Sequence, residues 1–234
     1  MKNIIVTGCS RGIGFEIVTE FSKLENFKIF AISRNKNGLN KLNNLQCNEN
    51  TEIFTISEDL SCFSSYQKLF KFCVENSNGK FDGIIHNAGV LIKKNFLDIN
   101  ISDIQNSFNL NSFAPLLLTQ KFIPTFNKNA HVLSISSMGG YQNSLKFPGL
   151  SIYSISKSTL NTMTQCLAEE YKETSFKFNS LALGAVQTEM LSEAFPDYNA
   201  PVSANQMAKY IVNFYINGAQ YFNGQIIPVS IANP

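Results

Sequence analysis

Seven short, mostly apolar runs recur along the chain, and each has the length of a β-strand. Their apolar residues are consecutive, as strands that are buried on both faces of a sheet require. Longer segments of helical length separate these runs. The strand candidates cover residues 3–8, 27–33, 51–57, 83–89, 131–137, 177–183 and 224–230, and the helix candidates cover 12–25, 36–46, 63–77, 101–127, 152–172 and 204–217.

This alternation of strands and helices predicts the fold class. Strand–helix–strand units place successive strands parallel and join them by right-handed crossovers. We therefore predict an α/β fold, a Rossmann-type, doubly wound, mostly parallel seven-stranded sheet with helices on both faces. A chain of 234 residues can bury one large core, and no linker, repeat or low-complexity segment divides it. Residues 1–234 are accordingly predicted to form a single domain.

Composition and charge exclude several classes of protein. Hydrophobic residues make up 44% of the chain and charged residues 15%, which is typical of a compact globule. The net charge is only +2 and the 19 lysines and arginines are scattered, so we predict no nucleic-acid partner. The apolar start, MKNIIVTG, is too short for a signal peptide, and no run approaches the roughly 18 apolar residues of a membrane span. We expect a cytoplasmic protein with no membrane partner.

Cysteine and histidine usage agrees with that location and argues against a metal site. The five cysteines are odd in number, widely spaced and lack a C-x-x-C pair, which favours free thiols in a reducing compartment. His86 and His131 are the two histidines, too few for a zinc ligand set without cysteine pairs.

A glycine-rich turn, TGCSRGIG (7–14), follows the first predicted strand and opens the first helix. Gly8 can take a tight backbone turn, Gly12 lets the main chain approach a pyrophosphate, and Gly14 permits close packing of helix on strand. The helix that begins here offers unpaired N–H groups and its positive end to an anion. An ordinary strand-to-helix turn is the alternative, and the spacing G-x-x-x-G-x-G differs from the common G-x-G-x-x-G.

The second strand ends in AISRN, which bears on the choice of cofactor. NAD sites usually place an acidic residue at this point for the adenosine ribose, whereas NADP sites place a cation near the 2′-phosphate. The sequence has Ser33 and Arg34 here and no acid, and Arg11 in the glycine turn could approach the same phosphate. This pattern favours NADP(H) over NAD, although both arginines could also be solvated surface charges.

Tyr153 and Lys157 lie four residues apart on a predicted helix and therefore share one face of it. A free tyrosine has a pKa of about 10, and a nearby cation can lower a neighbour's pKa by roughly 1–3 units. Lys157, together with an oxidised nicotinamide, could thus let Tyr153 act as a general acid or base near neutral pH. Taken alone, the pair could equally be an ordinary turn of helix.

Three further polar features follow the same order along the chain. HNAG (86–89) ends the fourth predicted strand. Asn111 lies inside a long predicted helix, where asparagine is a poor helix former because its side chain competes for backbone hydrogen bonds. Ser137 ends the fifth strand, at the sheet edge where open α/β folds bind ligands. A helix irregularity and a strand-end cap are the alternatives for Asn111 and Ser137.

Together these features resemble the short-chain dehydrogenase/reductase family over essentially the whole chain. The resemblance implies that Tyr153 is the proton donor and that Lys157 holds the nicotinamide ribose and lowers the tyrosine pKa. It also implies that Ser137 hydrogen-bonds the substrate carbonyl and that Asn111 supports a proton relay. The positions that match the family's cofactor site are Gly8, Ser10, Arg11, Gly12, Ile13, Gly14, Ser33, Arg34, Asp59, Leu60, Asn87, Ala88, Gly89, Tyr153, Lys157, Gly184, Val186 and Thr188, with Asp59 and Leu60 at the adenine contacts.

The chain departs from the family pattern in three places. The segment between Ser137 and Tyr153 is slightly longer than usual and should border the substrate. Leu183 stands before Gly184 where relatives commonly have proline, although Val186 and Thr188 still fit the nicotinamide segment. Residues 189–203 are short for a substrate lid, which suggests an open or small active site.

The sequence thus predicts an NADP(H)-dependent enzyme that reduces a ketone or aldehyde, with a 3-oxoacyl thioester as one candidate substrate, and that forms a homodimer or homotetramer. A nucleotide-binding regulatory or scaffold protein without turnover is one alternative, but no member of the predicted tetrad is lost. A nucleotide-sugar epimerase or dehydratase is another, although the region after Thr188 is short for one.

Overall fold

A computed structural model of the protein, which describes residues 1–231, contains a seven-stranded sheet in which every neighbouring pair of strands is parallel. Its strand order is β3-β2-β1-β4-β5-β6-β9, and β7 pairs only with β8. The strands are β1 (Lys2–Thr7), β2 (Phe27–Ser33), β3 (Glu52–Ser57), β4 (Phe81–His86), β5 (Phe126–Ser137), β6 (Lys177–Leu183), β7 (Val186–Gln187), β8 (Val202–Ser203) and β9 (Gln225–Val229).

Helices cover both faces of the seven-stranded sheet. The α-helices are α1 (Gly12–Ser22), α2 (Lys36–Asn43), α3 (Tyr66–Glu75), α4 (Ile101–Phe108), α5 (Ala114–Phe122), α6 (Ser151–Glu170), α7 (Glu189–Ala194) and α8 (Ala204–Asn217). Successive strand residues point to opposite faces, so Ile4 packs in the cluster that includes Phe21 of α1, whereas Ile5 packs in the one that includes Phe122 of α5. The predicted doubly wound parallel sheet is confirmed. No helix formed by residues 1–231 is long and apolar enough to cross a membrane.

The predicted helix over 101–127 is wrong as a continuous element. It divides into α4, a π-helical segment (Asn109–Phe113), α5 and a 3-10 turn (Ile123–Thr125), and β5 begins already at Phe126. Pro124 contributes no N–H to an α-helix, which explains the end of α5. The π-helical segment coincides with the buried side chain of Asn111, which bonds outside its own helix.

The fourth strand also ends earlier than predicted, at His86 rather than residue 89. Thr7 explains this end, because its hydroxyl oxygen accepts hydrogen bonds from the backbone N–H groups of Asn87 (3.1 Å) and Ala88 (3.0 Å). Those N–H groups are therefore not available to the neighbouring strand. The Asn-Ala-Gly motif consequently lies in a loop beside the end of β1, not in the sheet.

His131 is a buried histidine on β5 whose hydrogen bonds require the neutral ring. Asn179 donates to its Nε2 (3.2 Å), and Nδ1 lies 3.0 Å from the carbonyl oxygen of Tyr215, which can only accept. Nδ1 therefore carries the proton and Nε2 accepts. Burial lowers the pKa of His131 to about 4, although the bond to Tyr215 opposes this shift.

We expect acid to destabilise the protein through His131. Its pKa falls from 6.5 to about 4 on folding, so between these values the unfolded chain binds the extra proton and stability falls as pH falls. His131→Gln removes this contribution. In urea unfolding at pH 7 and pH 5, the wild type should lose about 2 kcal/mol more than the variant does. An identical pH dependence in the two proteins would contradict this assignment.

Candidate active site

A cavity of about 750 Å³ opens along the carboxyl ends of the parallel strands. It runs from the loops after β2 and β3, past the glycine turn after β1, to the loops after β5 and β6. Gly14, Asp59 and Asn111 are the predicted site residues that do not line it. The predicted residues that do line it are Gly8, Ser10, Arg11, Gly12, Ile13, Ser33, Arg34, Leu60, Asn87, Ala88, Gly89, Ser137, Tyr153, Lys157, Gly184, Val186 and Thr188.

The glycine turn is packed too tightly for side chains. Gly8 has a left-handed φ of +74°, and a Cβ there would lie 2.7 Å from the Cα of Ala88. A Cβ on Gly14 would lie 2.2 Å from the Gly8 carbonyl oxygen, which explains why Gly14 packs behind the turn instead of lining the cavity. Asn87 fixes the turn by donating to the carbonyl oxygens of Thr7 (3.0 Å) and Gly8 (3.2 Å).

The N-terminus of α1 faces this turn and suits an anion. Its N-cap, Arg11, makes no side-chain hydrogen bond to the first N–H groups of the helix. Those N–H groups and the positive end of the helix dipole would both favour a phosphate. The close-packed glycine backbone beside them therefore fits a nucleotide pyrophosphate.

The far end of the cavity, beside β2 and β3, carries the predicted adenosine contacts. The Ser33 hydroxyl donates to the Ser10 hydroxyl oxygen (2.8 Å), which joins the end of β2 to the glycine turn. Leu60 is buried and lines the cavity. Asp59 does not line it. Its carboxylate accepts from Ser61 and lies 3.5 Å from Arg34.

Ser137, Tyr153 and Lys157 meet at the other end of the cavity. Ser137 ends β5, accepts a hydrogen bond from the N–H of Gly139 (3.1 Å), and shares a side-chain hydrogen bond with Tyr153. Lys157 is 5% exposed and donates from Nζ to the Ile135 carbonyl oxygen (2.8 Å). This arrangement places two hydroxyl groups and one ammonium group at a single wall of the cavity.

The pKa of Tyr153 is raised in the protein alone, whereas the lowering we expect is for Lys157 acting together with an oxidised nicotinamide. Burial raises it, and the hydrogen bond with Ser137 only partly opposes that shift. Burial also lowers the pKa of Lys157 from 10.5 to about 8, so the amine stays mostly protonated at pH 7. Desolvation therefore outweighs any lowering of the tyrosine pKa by the lysine.

Asn111 clamps the loop after β4 rather than facing the cavity. Its Nδ2 donates to the Val90 carbonyl oxygen (2.9 Å) and to the Ser156 hydroxyl oxygen (2.9 Å), and its Oδ1 accepts from the Val90 N–H (2.8 Å). A Cβ on Gly89 would lie 3.2 Å from both Asn111 Oδ1 and Lys157 Nζ. Asn111 thus holds the loop and α6 together directly beside the lysine.

His86 lies close enough to Lys157 to feel its charge, and no sequence pattern assigned it a role in the site. It is buried, its Nε2 lies 2.8 Å from the Thr119 hydroxyl, and its Nδ1 has no hydrogen-bond partner among the described residues. Burial, and then the charge of Lys157, lower the pKa of His86 to about 3. The sequence shows His86 directly before the Asn-Ala-Gly motif, but only its burial in the fold shows that the imidazole is neutral.

The segment that contains α7 covers part of the cavity, and side chains of two other loops hold it in place. The Thr188 side chain caps α7 by accepting from the Leu191 N–H (3.3 Å). Arg11 grips Glu193 of α7 with both terminal nitrogens, at 2.6 and 3.4 Å. Lys93 donates to the Ala194 carbonyl oxygen (2.9 Å) and lies 4.0 Å from the ring centre of Phe195. Arg11, Lys93 and Glu193 were not predicted to act on this segment.

The fold and the site together define a nucleotide-binding, doubly wound α/β protein, on the evidence of the strand order, the glycine turn and the helix N-terminus beside it. The sequence model of the short chain dehydrogenase family matches residues 2–199. The chain belongs to this family and is a dehydrogenase/reductase enzyme.

Individual relatives are distant. The chain is 27% identical to a tropinone reductase homolog of Datura stramonium over 244 aligned positions, which cover 96% of this chain and 89% of the relative. It is 24% identical to an uncharacterized oxidoreductase of Staphylococcus aureus over 213 positions, 90% of this chain and 89% of that protein.

Two solved structures show the same fold. The first is a 3-ketoacyl-(acyl-carrier-protein) reductase from Brucella melitensis complexed with NADH, with a TM-score of 0.87, 19% identity and coverage of 98% of this chain and 96% of that one. The second is a short chain dehydrogenase from Burkholderia cenocepacia in complex with NADP, with a TM-score of 0.85, 20% identity and the same coverage.

Proposed function

We propose that this enzyme is an NADP(H)-dependent reductase that converts a ketone or aldehyde to an alcohol. The observation that carries the proposal is that Ser137, Tyr153 and the buried ammonium of Lys157 line one cavity with the glycine turn. We also propose that this fold and site make up a single domain over residues 1–234, of which 232–234 lie outside the described residues, and that the protein is cytoplasmic.

The residues that line the cavity support one orientation of the cofactor. The backbone of the glycine turn would hold the pyrophosphate, Ser33, Arg34 and Leu60 would lie at the adenosine, and Gly184, Val186 and Thr188 would lie at the nicotinamide. When bound, a nicotinamide cofactor supplies the hydride.

The chain's own residues supply the proton and position the substrate. Tyr153 is protonated at neutral pH, since an ordinary tyrosine pKa is about 10 and burial raises it, so its hydroxyl can serve as the proton donor in the reductive direction. Its hydroxyl donates the proton to the carbonyl oxygen as that oxygen gains charge, and the Ser137 hydroxyl donates a second hydrogen bond to the same oxygen. Lys157 keeps a positive charge next to this developing anion, and Asn111 holds the loop and helix that position Lys157.

Cofactor preference depends on the cations at the adenosine end. Ser33 ends β2, and Arg34 lines the cavity with its side chain 65% exposed and its nearest carboxylate, Asp59, 3.5 Å away. Glu58 lines the same end but is paired with Lys68 at 2.5 Å. The exposed guanidinium is thus better placed for a 2′-phosphate than the paired carboxylate is for a ribose.

We expect Arg34→Ala to weaken NADPH binding by roughly tenfold, the loss of about one charge-assisted hydrogen bond at an exposed site. NADH binding should not change, since NADH lacks the 2′-phosphate. Titration of each nucleotide by fluorescence gives both dissociation constants. Lys41→Ala, which removes an exposed cation that does not line the cavity, is the matched control. An equal loss for both nucleotides would contradict the 2′-phosphate contact.

We also infer that copies of the chain associate through the outer face of α4 to α6. Apolar side chains there are exposed: Ile101 (68%), Phe113 (47%), Leu116 (49%) and Ile155 (51%). Apolar residues clustered on neighbouring elements are typical of an interface.

We expect a dimer or tetramer in solution, with Leu116→Glu shifting it toward the monomer because a charge would be buried in the interface. Light scattering after gel filtration gives the mass. A wild-type mass of one 26.1 kDa chain at micromolar concentration would contradict the association.

A further inference from the structure

The half of the cavity beyond Ser137 and Tyr153 has apolar walls. They come from the loop after β4, the loop between β5 and α6, and the segment after β6. Met138 and Leu150 are buried, whereas Phe147 and Tyr198 are about half exposed at the mouth. The side chains that define this half, which we call the apolar half, are Leu91, Met138, Phe147, Leu150, Phe195 and Tyr198.

The charged residues that line the cavity lie outside the apolar half. Arg11, Arg34 and Glu58 lie along the glycine turn and the ends of β2 and β3. Glu189 approaches the glycine turn, since its Oε2 lies 3.5 Å from the position of a Cβ on Gly12. Lys157 is buried against the Ile135 carbonyl oxygen and is assigned to the proton chemistry. None of these charges belongs to the apolar half.

Two lysines in the loops around the apolar half make their contacts with groups of those loops. Lys93 donates to the Ala194 carbonyl oxygen and lies over Phe195. Lys146 donates to the carbonyl oxygen of Tyr141 (2.5 Å) and the hydroxyl of Ser144 (2.8 Å). Neither lysine lines the large cavity. Lys93 lines a smaller cavity with Leu91, but its ammonium is directed to Ala194 and Phe195. Among the described residues, no cation that lines the large cavity lies in the apolar half, so a substrate anion there would lose water without gaining a directed cationic partner.

We propose that the substrate is an uncharged carbonyl compound with an aryl or alkyl body, and that compounds carrying a carboxylate or phosphate on that body are excluded. This inference rests on the proposed reductase function. Burial of apolar surface favours such a compound by roughly 25 cal/mol per Å². An unpaired anion in the same place is strongly disfavoured.

Methyl 4-acetylbenzoate and 4-acetylbenzoate test this proposal, because they share a ketone and differ in one charge. With NADPH, kcat/KM for the ester should exceed that for the acid by at least about 30-fold, since each tenfold corresponds to only ~1.4 kcal/mol. Equal values, or a preference for the acid, would overturn the inference.

Phe147→Lys places a cation at the mouth of the apolar half. It should narrow the ester-to-acid ratio about fivefold or more, through attraction of the carboxylate at moderate dielectric. Leu145→Lys adds the same charge to the same loop at a residue that is 68% exposed and does not line the cavity, and should leave the ratio unchanged. If Phe147→Lys leaves the ratio unchanged, the assignment of the apolar half is wrong.

If the proposed reductase function is wrong, the outcome can be told apart from failure of the substrate proposal. In that case neither compound is reduced with NADPH or NADH, and calorimetric binding in the presence of NADPH decides the inference. Binding of the ester without the acid supports an apolar, uncharged ligand. Equal binding of both compounds, or binding of neither, overturns it.

Discussion

Tyr153→Phe is expected to lower kcat by about 10²–10⁴-fold, the usual contribution of general acid catalysis. The phenol lies at the cavity wall, hydrogen-bonded with Ser137, and its pKa is raised by burial. It is therefore the protonated group best placed to neutralise the carbonyl oxygen. Phenylalanine keeps the ring and its packing and removes only the hydroxyl, so NADPH affinity should change far less than kcat. Steady-state kinetics and a nucleotide titration on the same preparation separate the two quantities.

Tyr141→Phe is the matched control, because Tyr141 lies in the loop after Ser137 but does not line the cavity. Its kcat should equal that of the wild type. A Tyr153→Phe enzyme that retains more than roughly a hundredth of the wild-type kcat would remove Tyr153 from the proton-transfer step.

Gly8→Ala is expected to abolish tight cofactor binding and to destabilise the fold. The added Cβ would lie 2.7 Å from the Ala88 Cα and 2.9 Å from the Ala88 nitrogen, so backbone must move. Left-handed φ costs a non-glycine residue about 1–2 kcal/mol, and overpacking adds about 1–3 kcal/mol. Because the movement displaces the turn that would hold the pyrophosphate, nucleotide affinity should fall by more than tenfold, or ~1.4 kcal/mol.

Gly79→Ala isolates the cost of the left-handed φ from the steric clash. Gly79 has the same φ of +74°, but nothing lies within 4 Å of its Cβ position. This variant should lose about 1–2 kcal/mol of stability and keep the wild-type nucleotide affinity. Chemical unfolding and nucleotide titration measure the two effects. Equal loss of affinity in both variants would show that the turn at Gly8 has no special part in binding.

The sheet and the motif residues could be predicted because both depend on local sequence. Apolar runs specify buried strands, and parallel strands carry their carboxyl ends to one edge. Gly8 and Ser137 each end a predicted strand, so topology alone brings them to one edge of the sheet, whereas Tyr153 lies on a predicted helix and was assigned to the site through the family resemblance. The family resemblance added roles that periodicity cannot supply.

The remaining features depend on contacts between distant residues. The Arg11–Glu193 pair joins residues 182 positions apart, and the Lys93–Ala194 hydrogen bond joins residues 101 apart. The low helix propensity of Asn111 allowed for an irregularity there, but its bonds to Val90, 21 residues away, could not be predicted from local sequence. The raised pKa of Tyr153 results from the burial of its hydroxyl, which the Tyr-x-x-x-Lys spacing does not reveal.

We propose that hydride passes in this cleft from a nicotinamide nucleotide to a carbonyl carbon. The experiment that decides this follows NADPH absorbance after the purified enzyme is mixed with methyl 4-acetylbenzoate and a panel of uncharged ketones and aldehydes. We expect catalytic loss of absorbance, with one molecule of alcohol formed for each NADPH consumed. No loss above the enzyme-free rate with NADPH or NADH, across a panel that includes anionic carbonyl compounds, would contradict it.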